Sequence, residues 1–547
     1  MEGKEHMSNN ENFIPHSQGV DLSMRKDAQG VVESPVHFQK PQEMSFLASE
    51  RETTTILFSG LTEAHEELMA GVMRGLGYKV DRLPQPDFTD LTVGREYCNR
   101  GQCNPTYYTV GNLIHHLHEL KQHMSVEEIE NNYVFLTAGS CGPCRFGMYE
   151  SEYRKAVIDA GFPNFRIILF QQDGGVGQLG GDEAEGPGLD LNKDFVVGLL
   201  KSILIGDLIN GAVNKIKPYE LESGSTLKAK DEVISLLAST MQNKKSIIAS
   251  LRKAKDIFAQ IECDYTQIKP MVKITGEFWA SLTEGQGNYF FKEWLVEEGA
   301  EVKMEPLTTW IEHLLYSREI VAQNHRGITQ EKTGIGEKAN PYVKELKLFA
   351  LRRTLNTFYN VYRGAMGWKV NNTVNNRVLA NLAHEYYNKH QGGGEAYMEV
   401  GSLIYLGKKK KAHLMVSVKP FGCLPSTASD GVQSKVMTDY PNILFLPLET
   451  SGDSEVNFKS RAQMVLFEAK QKAQEEADKI ICENNIDVEE VKEFVKNNPQ
   501  YRSGMFAFDN TTTGTGASFL LEMHKRMHSM RGQLRHKLQR TPVVSAG

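Results

Sequence analysis

The chain has 547 residues, 40% of them hydrophobic and 24% charged, with 62 Lys and Arg against 68 Asp and Glu for a net charge of −6. That length exceeds one ordinary core and implies two or three domains of a globular protein. The charge balance excludes a global pull toward nucleic acid or an anionic membrane surface.

Residues 1 to about 45 are polar and aperiodic, and are expected to form a disordered leader. They contain no apolar h-region of a secretory signal, so the expected location is cytoplasmic. Order is expected from the strand at Thr53–Phe58, followed by a helix over 63–76 and a short strand near Tyr78–Val80. A helix over 105–121, a strand at Tyr133–Leu136, a helix over 150–160 and a strand at Phe165–Phe170 continue the alternation. Long helices are predicted over 190–216 and 226–262. The apolar run Phe195–Ile209 is interrupted by Lys201 and Asp207 and is shorter than the ~20 residues of a membrane span, so it reads as a buried helix.

A second alternation starts at Met271–Ile274 and runs through helices near 289–298, 308–325, 341–364 and 373–390. It ends with strands at His413–Val418 and Ile443–Leu448, and a charged helix follows over 455–484. Strands alternating with helices predict an α/β fold of two doubly wound, mostly parallel-sheet modules with long connecting helices. The expected boundaries are a leader at 1–45, a first module at 46–220, a helical connection at 221–270, a second module at 271–452 and a helical C-terminal region at 453–547.

Seven cysteines are too few for a disulfide scaffold. Their placement is uneven. Cys98 and Cys103 precede a predicted helix, Cys141 and Cys144 form a Cys-Gly-Pro-Cys turn directly after a strand, and Cys423 follows another strand in a Pro/Gly loop. Sites in open α/β sheets form beyond the carboxyl ends of strands, so these loops converge in principle on one crevice. Thiolates are soft ligands for iron–sulfur clusters, zinc or copper(I), and spacing alone leaves structural zinc, a redox dithiol and a cluster open. Cys263 and Cys482 fall in helical patterns and are expected to be inert core thiols.

The segments Gly139-Ser-Cys-Gly-Pro-Cys-Arg-Phe-Gly-Met-Tyr149 and Pro420-Phe-Gly-Cys-Leu-Pro425 resemble motifs of the acyl-CoA dehydratase activase-related proteins. Those proteins are relatives of 2-hydroxyacyl-CoA dehydratase subunits and of double-cubane-cluster proteins. Gly94–Gly111 is similar to the family's first cysteine segment, and Gly452–Asn457 with Arg461 to the stretch after the third; the likeness spans about 50–465. The resemblance implies an oxygen-labile 4Fe-4S or double-cubane iron–sulfur cluster on Cys98, Cys103, Cys141, Cys144 and Cys423. It also implies a separate ATP-dependent activator with its own cluster, an acyl-CoA substrate, and a homo- or heterodimer. Two readings follow within the family, an electron-transfer or reductase-like protein and a true 2-hydroxyacyl-CoA dehydratase component. A zinc-stabilised, non-catalytic binding protein is the alternative from another class. No nucleic-acid or membrane partner is expected.

Other signals are weaker. No Walker-type phosphate loop is present. Asp509–Leu520 faintly echoes an activator's cluster loop with Thr511 in the cysteine position, and is expected to cap the terminal helix instead. Gly175-Val-Gly-Gln-Leu-Gly180 matches a dinucleotide fingerprint but leads into an acidic loop, so it is read as a plain loop. His115, His116 and His118 are expected to be solvated. Lys408–Lys411 reads as a solvated turn with a possible phosphate role, and Glu399 as a polar pocket residue without an assigned role.

Overall fold

Two sheets with the same strand order organise the chain. The computed structural model describes residues 46–539, apart from 140–143, 172–174, 177–186, 327–340 and positions 369, 371, 393, 442 and 453. In the first module β1 (Thr55–Phe58), α1 (Glu63–Gly75) and β2 (Lys79–Arg82) are followed by α2 (Phe88–Tyr97), α3 (Asn104–Lys121) and α4 (Val126–Asn132). Then come β3 (Tyr133–Gly139), α5 (Tyr149–Asp159), β4 (Arg166–Gln171), a two-residue β5 (Gly175–Val176) and α6 (Lys193–Ile216). Helices α7 (Ser225–Gln242) and α8 (Ile247–Ala259) lead to β6 (Met271–Gly276), α9 (Phe278–Leu282), α10 (Phe291–Glu297) and β7 (Glu301–Met304). The remainder is α11 (Leu307–Asn324), α12 (Pro341–Met366), α13 (Asn376–Ala383), α14 (Ala396–Lys409), β8 (Leu414–Pro420), α15 (Leu424–Asp439), β9 (Leu444–Thr450), α16 (Glu455–Asn484), α17 (Val488–Lys496) and α18 (Thr515–Gln539).

Sheet one runs β2-β1-β3-β4 with all four strands parallel, and β5 adds an antiparallel edge to β4. Sheet two runs β7-β6-β8-β9, again all parallel. Strands covered on both faces need continuous apolar runs, and all four residues of β1 and all seven of β8 are buried. In each sheet the order reverses once, between β1 and β3 and between β6 and β8. The loops leaving those neighbours diverge, which opens a crevice at the carboxyl edge. The expected α/β class with two parallel-sheet modules is thus what the chain adopts.

The stretch predicted as one helix over 226–262 is broken, because Lys244 has φ 52° and Ser246 caps α8 through the Ala249 amide. It also does more than connect. Leu68 of α1, Leu208 of α6, Leu237 of α7, Phe258 of α8, Tyr359 of α12 and Phe519 of α18 share one apolar core outside the sheets. Helix α16 belongs to the second sheet, which it covers with Phe458, Ala462, Leu466 and Ala469 at helical spacing.

Helix α6 is long and apolar enough to cross a membrane, yet 61% of its apolar window is buried within the protein, as in a core helix. Its Asp207 explains why the helix belongs there. The buried carboxylate accepts from the amides of Leu307 (2.9 Å) and Thr308 (2.7 Å), capping α11, and lies 3.4 Å from His65 Nε2.

The α2–α3 hairpin joins the modules. A Cβ on Gly94 would sit 1.8 Å from the Tyr107 carbonyl oxygen and one on Gly111 1.8 Å from that of Asp90, so only glycine lets these helices close. The hairpin then reaches the second sheet: the Tyr108 ring packs tilted against Trp279 with centroids 5.6 Å apart, and Arg95 donates to the Ser451 carbonyl at 2.7 Å.

Candidate functional site

The two carboxyl edges face a common cavity of about 680 Å³. Gly60 and Leu61 follow β1, Thr137 lies in β3, Glu277 follows β6, and Pro420 and Cys423 close β8; all of them line it. That volume falls within the ~300–1,000 Å³ of small-molecule sites.

Three cysteines border the cavity, and each begins a helix. Cys103 is the N-cap of α3, Cys144 precedes the 3-10 turn Arg145–Met148 that enters α5, and Cys423 is the N-cap of α15. Pro105 and Pro425 sit in the first turns, where the missing N–H costs nothing and the fixed φ favours helix entry. Helix N-termini aim N–H groups and positive dipole ends at what precedes them, a setting that favours anionic sulfur. Cys103 Sγ lies 3.1 Å from Tyr149 Oη and 3.3 Å from Thr106 Oγ1. Burial nevertheless pushes all three thiols up, Cys144 to about 12. They would be protonated at neutral pH until a cation displaced the proton.

The structure separates the other cysteines from this group. Cys98, the C-cap of α2, is buried in the first module's own core and does not line the cavity. Its neighbour Asn99 donates to Glu152 from both its amide and side chain at 2.9 Å, which fixes the turn. Cys141 lies outside the described residues. Cys263 is not helical as expected: it follows α8 in an isolated bridge with Glu220 and is 1% exposed. Cys482 is helical, but it is exposed rather than a core thiol. Among the described residues no three cysteine sulfurs gather within 4.8 Å; the group that does so is Asp87, Asp90 and His115. Those carboxylates are already used. Asp87 and Asp90 form the capping box of α2, and Asp90 also accepts from Asn112 (3.0 Å) and faces His115 Nδ1 at 2.7 Å. The three histidines are therefore half-buried rather than solvated, His118 packing between Tyr97 and Phe162.

Carboxyl groups that sequence reasoning missed share the cavity. Glu277 caps α9 by accepting from the Trp279 (3.2 Å) and Ala280 (2.8 Å) amides, and burial raises it to about 7. Gly276 before it has φ +117°, and a Cβ there would lie 2.1 Å from the Val418 carbonyl oxygen. Glu395, at the start of α14, is raised to about 8 by burial and then by Glu277. Glu66 is likewise raised to about 8 by burial, while burial lowers His313 to about 4. A Gly-Glu pair after an apolar strand was the available signal for Glu277. Another signal was the Cys-x-Pro triplet, which occurs at Cys103, Cys141 and Cys423.

An aromatic wall runs from the first module to the second. Ring centroids are 5.1 Å apart for Tyr149–Phe146, 6.2 Å for Phe146–Phe278 and 4.9 Å for Phe278–Trp310. Beneath the Cys423 loop, Glu399 is a structural hub: it accepts from Ser417, Ser429 (2.8 Å), Gln433 (2.7 Å) and the Lys419 ammonium (3.4 Å). Lys419 is 1% exposed and also pairs with Asp430. Lys408 and Lys409 are exposed in the last turn of α14, where cations suit the helix dipole.

The Thr/Gly loop before α18 holds no free cradle, because the Thr513 and Gly514 amides donate to Glu476 at 2.9 and 2.8 Å. Gly175 and Val176 form β5, and the rest of that fingerprint lies outside the described residues.

Fold and site together define an α/β protein of two parallel-sheet modules whose strand-end loops border a cavity lined by thiols and by carboxyls that burial pushes up. No protein-family model matches the chain, and no curated protein matches it.

Proposed function

We propose that this chain is an iron–sulfur protein that performs or feeds a one-electron reductive step on a substrate bound in the cavity. The observation that carries the reading is that Cys103, Cys144 and Cys423, from three separate loops, border one cavity. They would hold the 4Fe-4S or double-cubane cluster, with Cys141 a further donor by its Cys-x-x-Cys spacing. Three soft donors at helix starts fit such a group better than they fit one zinc ion. Zinc–sulfur bonds of ~2.3 Å bring thiolates within ~4.6 Å of one another, and the described sulfurs have no such grouping. When bound, a cluster of this kind supplies single low-potential electrons, which no side chain offers.

The chain's own groups support that use. Tyr149 is placed to hydrogen-bond the Cys103 sulfur, and the helix starts aim N–H groups at all three. Glu277 and Glu395, raised toward neutrality by burial, hold exchangeable protons on the cavity wall. Phe421 and Leu424 flank Cys423 and are 66% and 48% exposed, so an electron donor could approach within one residue of the thiol. A separate ATP-dependent activator belongs to this reading, since the sequence has no Walker-type phosphate loop of its own.

The cavity favours the lyase reading, a 2-hydroxyacyl-CoA dehydratase component, over a pure electron carrier. A carrier needs no cavity of about 680 Å³ beside its thiols. Anaerobic purification followed by visible absorption tests the reading. A brown protein that bleaches in air supports it; a colourless protein carrying zinc contradicts it.

A further inference from the structure

Helix α12 is apolar on both sides. Its inner face, with Leu355, Tyr359, Tyr362 and Met366, packs into the core shared with α6, α7, α8 and α18. A surface helix ordinarily turns polar and charged residues the other way, and α12 does not. Val343, Leu346, Ala350, Thr354, Thr357 and Val361 follow one another at steps of three or four residues, so they form one outward row ~27 Å long. Leu351 and Phe358 run beside it seven residues apart, and Trp368 continues it past the helix end. Leu346, Phe358, Val361 and Trp368 are 67%, 50%, 50% and 61% exposed. Single exposed apolar residues are normal on a protein surface, whereas a continuous row of this length marks a docking face.

Two observations select the occupant. The first is charge. Lys344, Lys347 and Arg353 are exposed and flank the row, and among the described residues none of them forms an ion pair. Glu345, the one acidic residue of α12, is already engaged by Gln323 and Arg326. Two-fold pairing of this face with a second copy would set these cations against one another, while an anionic partner would meet them favourably. The second is hydrogen bonding. The polar side chains of the outward face turn their donors back on the helix itself. Thr354 Oγ1 donates to the Ala350 carbonyl at 2.9 Å, Thr357 Oγ1 to that of Arg353 at 2.8 Å, and Asn360 Nδ2 to that of Asn356 at 2.9 Å. A specific protein interface carries about one hydrogen bond per 100–200 Å². A hydrocarbon boundary instead demands that polar groups be satisfied from within, which is what these three do.

We infer that α12 is a membrane-contact helix that lies along an anionic phospholipid surface. Leu346, Phe358, Val361 and Trp368 enter the acyl boundary, and Lys344, Lys347 and Arg353 sit among the headgroups. In such interfacial helices buried apolar area and attraction to anionic lipid act together. The whole-chain charge of −6 carries no sign of this, because the patch forms only once the fold leaves this face outward. The inference is independent of any metal in the cavity.

The test is co-sedimentation of the full chain, purified anaerobically, with two kinds of vesicle: equal parts phosphatidylglycerol and phosphatidylcholine, and phosphatidylcholine alone. The parent is expected to bind the anionic vesicles saturably and at least about tenfold more tightly than the neutral ones. Phe358→Glu, Val361→Glu and Lys347→Glu are each expected to weaken that binding about tenfold or more. Val456→Glu, at an 81% exposed position on α16, is expected to leave it unchanged. All four positions are exposed, so thermal melts of the variants should match the parent's, and sedimentation velocity should show the same species in the parent and in Val361→Glu. Absent or equal binding to the two kinds of vesicle, or affinities of both Phe358→Glu and Val361→Glu within twofold of the parent, would overturn the inference. A parent dimer that Val361→Glu dissociates would overturn it too, by assigning the face to a second copy.

Discussion

Tyr149 Oη lies 3.1 Å from Cys103 Sγ, and the same tyrosine begins the row of rings that ends at Trp310. A phenol that donates to a ligating sulfur withdraws charge from it and raises the potential of whatever it binds. Tyr149→Phe is therefore expected to keep its iron while the reduction midpoint moves to more negative values. A redox titration followed by EPR reads the shift, and an unchanged midpoint would remove Tyr149 from the metal's surroundings.

The cysteines divide by the wall they occupy. Cys103→Ala, Cys144→Ala and Cys423→Ala should each lose most bound iron, since each removes a thiol that borders the cavity. Cys98→Ala should retain iron, because that side chain, unlike Cys103, does not line the cavity. Cys263→Ala should also retain it while losing about 1–2 kcal/mol of stability from a buried site, and Cys482→Ala should be neutral in both respects. Metal analysis with denaturant melts checks all six. Iron loss from Cys98→Ala equal to that from Cys423→Ala would place the metal outside this cavity.

Acid should loosen the contact between modules. Glu284, in the loop after α9, accepts from the Glu63 amide at the start of α1 and pairs with Lys230 and Lys292. Burial alone would raise its pKa, but Lys292 and Lys230 more than offset that and hold it at about 2. The folded value lies below the unfolded one, so the carboxylate contributes stability that is present above pH ~4.5 and lost as the pH falls toward 2. Glu284→Gln is expected to cost about 2–4 kcal/mol at pH 7 and much less at pH 3. A cost independent of pH would show that the charge is not what matters.

Glu66 behaves in the opposite sense. Burial raises it to about 8, so the folded chain binds a proton that the unfolded chain releases near pH 4.5. Its contribution is fully present below pH 4.5 and declines as the pH rises through 8. Glu66→Gln should flatten the stability profile between those limits, with the parent and variant diverging most above pH 8. Parallel profiles from urea melts across this range would contradict the assignment.

The alternation of apolar runs and helical periods was enough to place seven of the nine described strands, because parallel strands buried on both faces leave long buried stretches such as Leu414–Pro420. The two-residue β5 was read as a plain loop, and the four-residue β7 was missed: Glu301-Val-Lys-Met is too short and mixed to signal, and only pairing with β6 makes it a strand. Strand-end position drew attention to Cys144 and Cys423, and both border the cavity. It did not separate Cys98 from Cys103, five residues apart, since the turn held by Glu152 decides which thiol faces inward. The raised pKa values of Glu277 and Glu395 were illegible for another reason. They come from burial in the folded chain, and no local pattern encodes burial.

The central claim is that the thiols at the helix starts hold a redox-active cluster, and the most direct test is iron and sulfide quantitation with EPR of the dithionite-reduced protein, all under anaerobic conditions. The account expects iron and acid-labile sulfide in equal amounts, about four of each per chain or twice that for a double cubane, with an EPR signal that appears on reduction and is lost in Cys423→Ala. A chain that carries zinc, or no metal, with no sulfide and no signal after anaerobic reconstitution would contradict it.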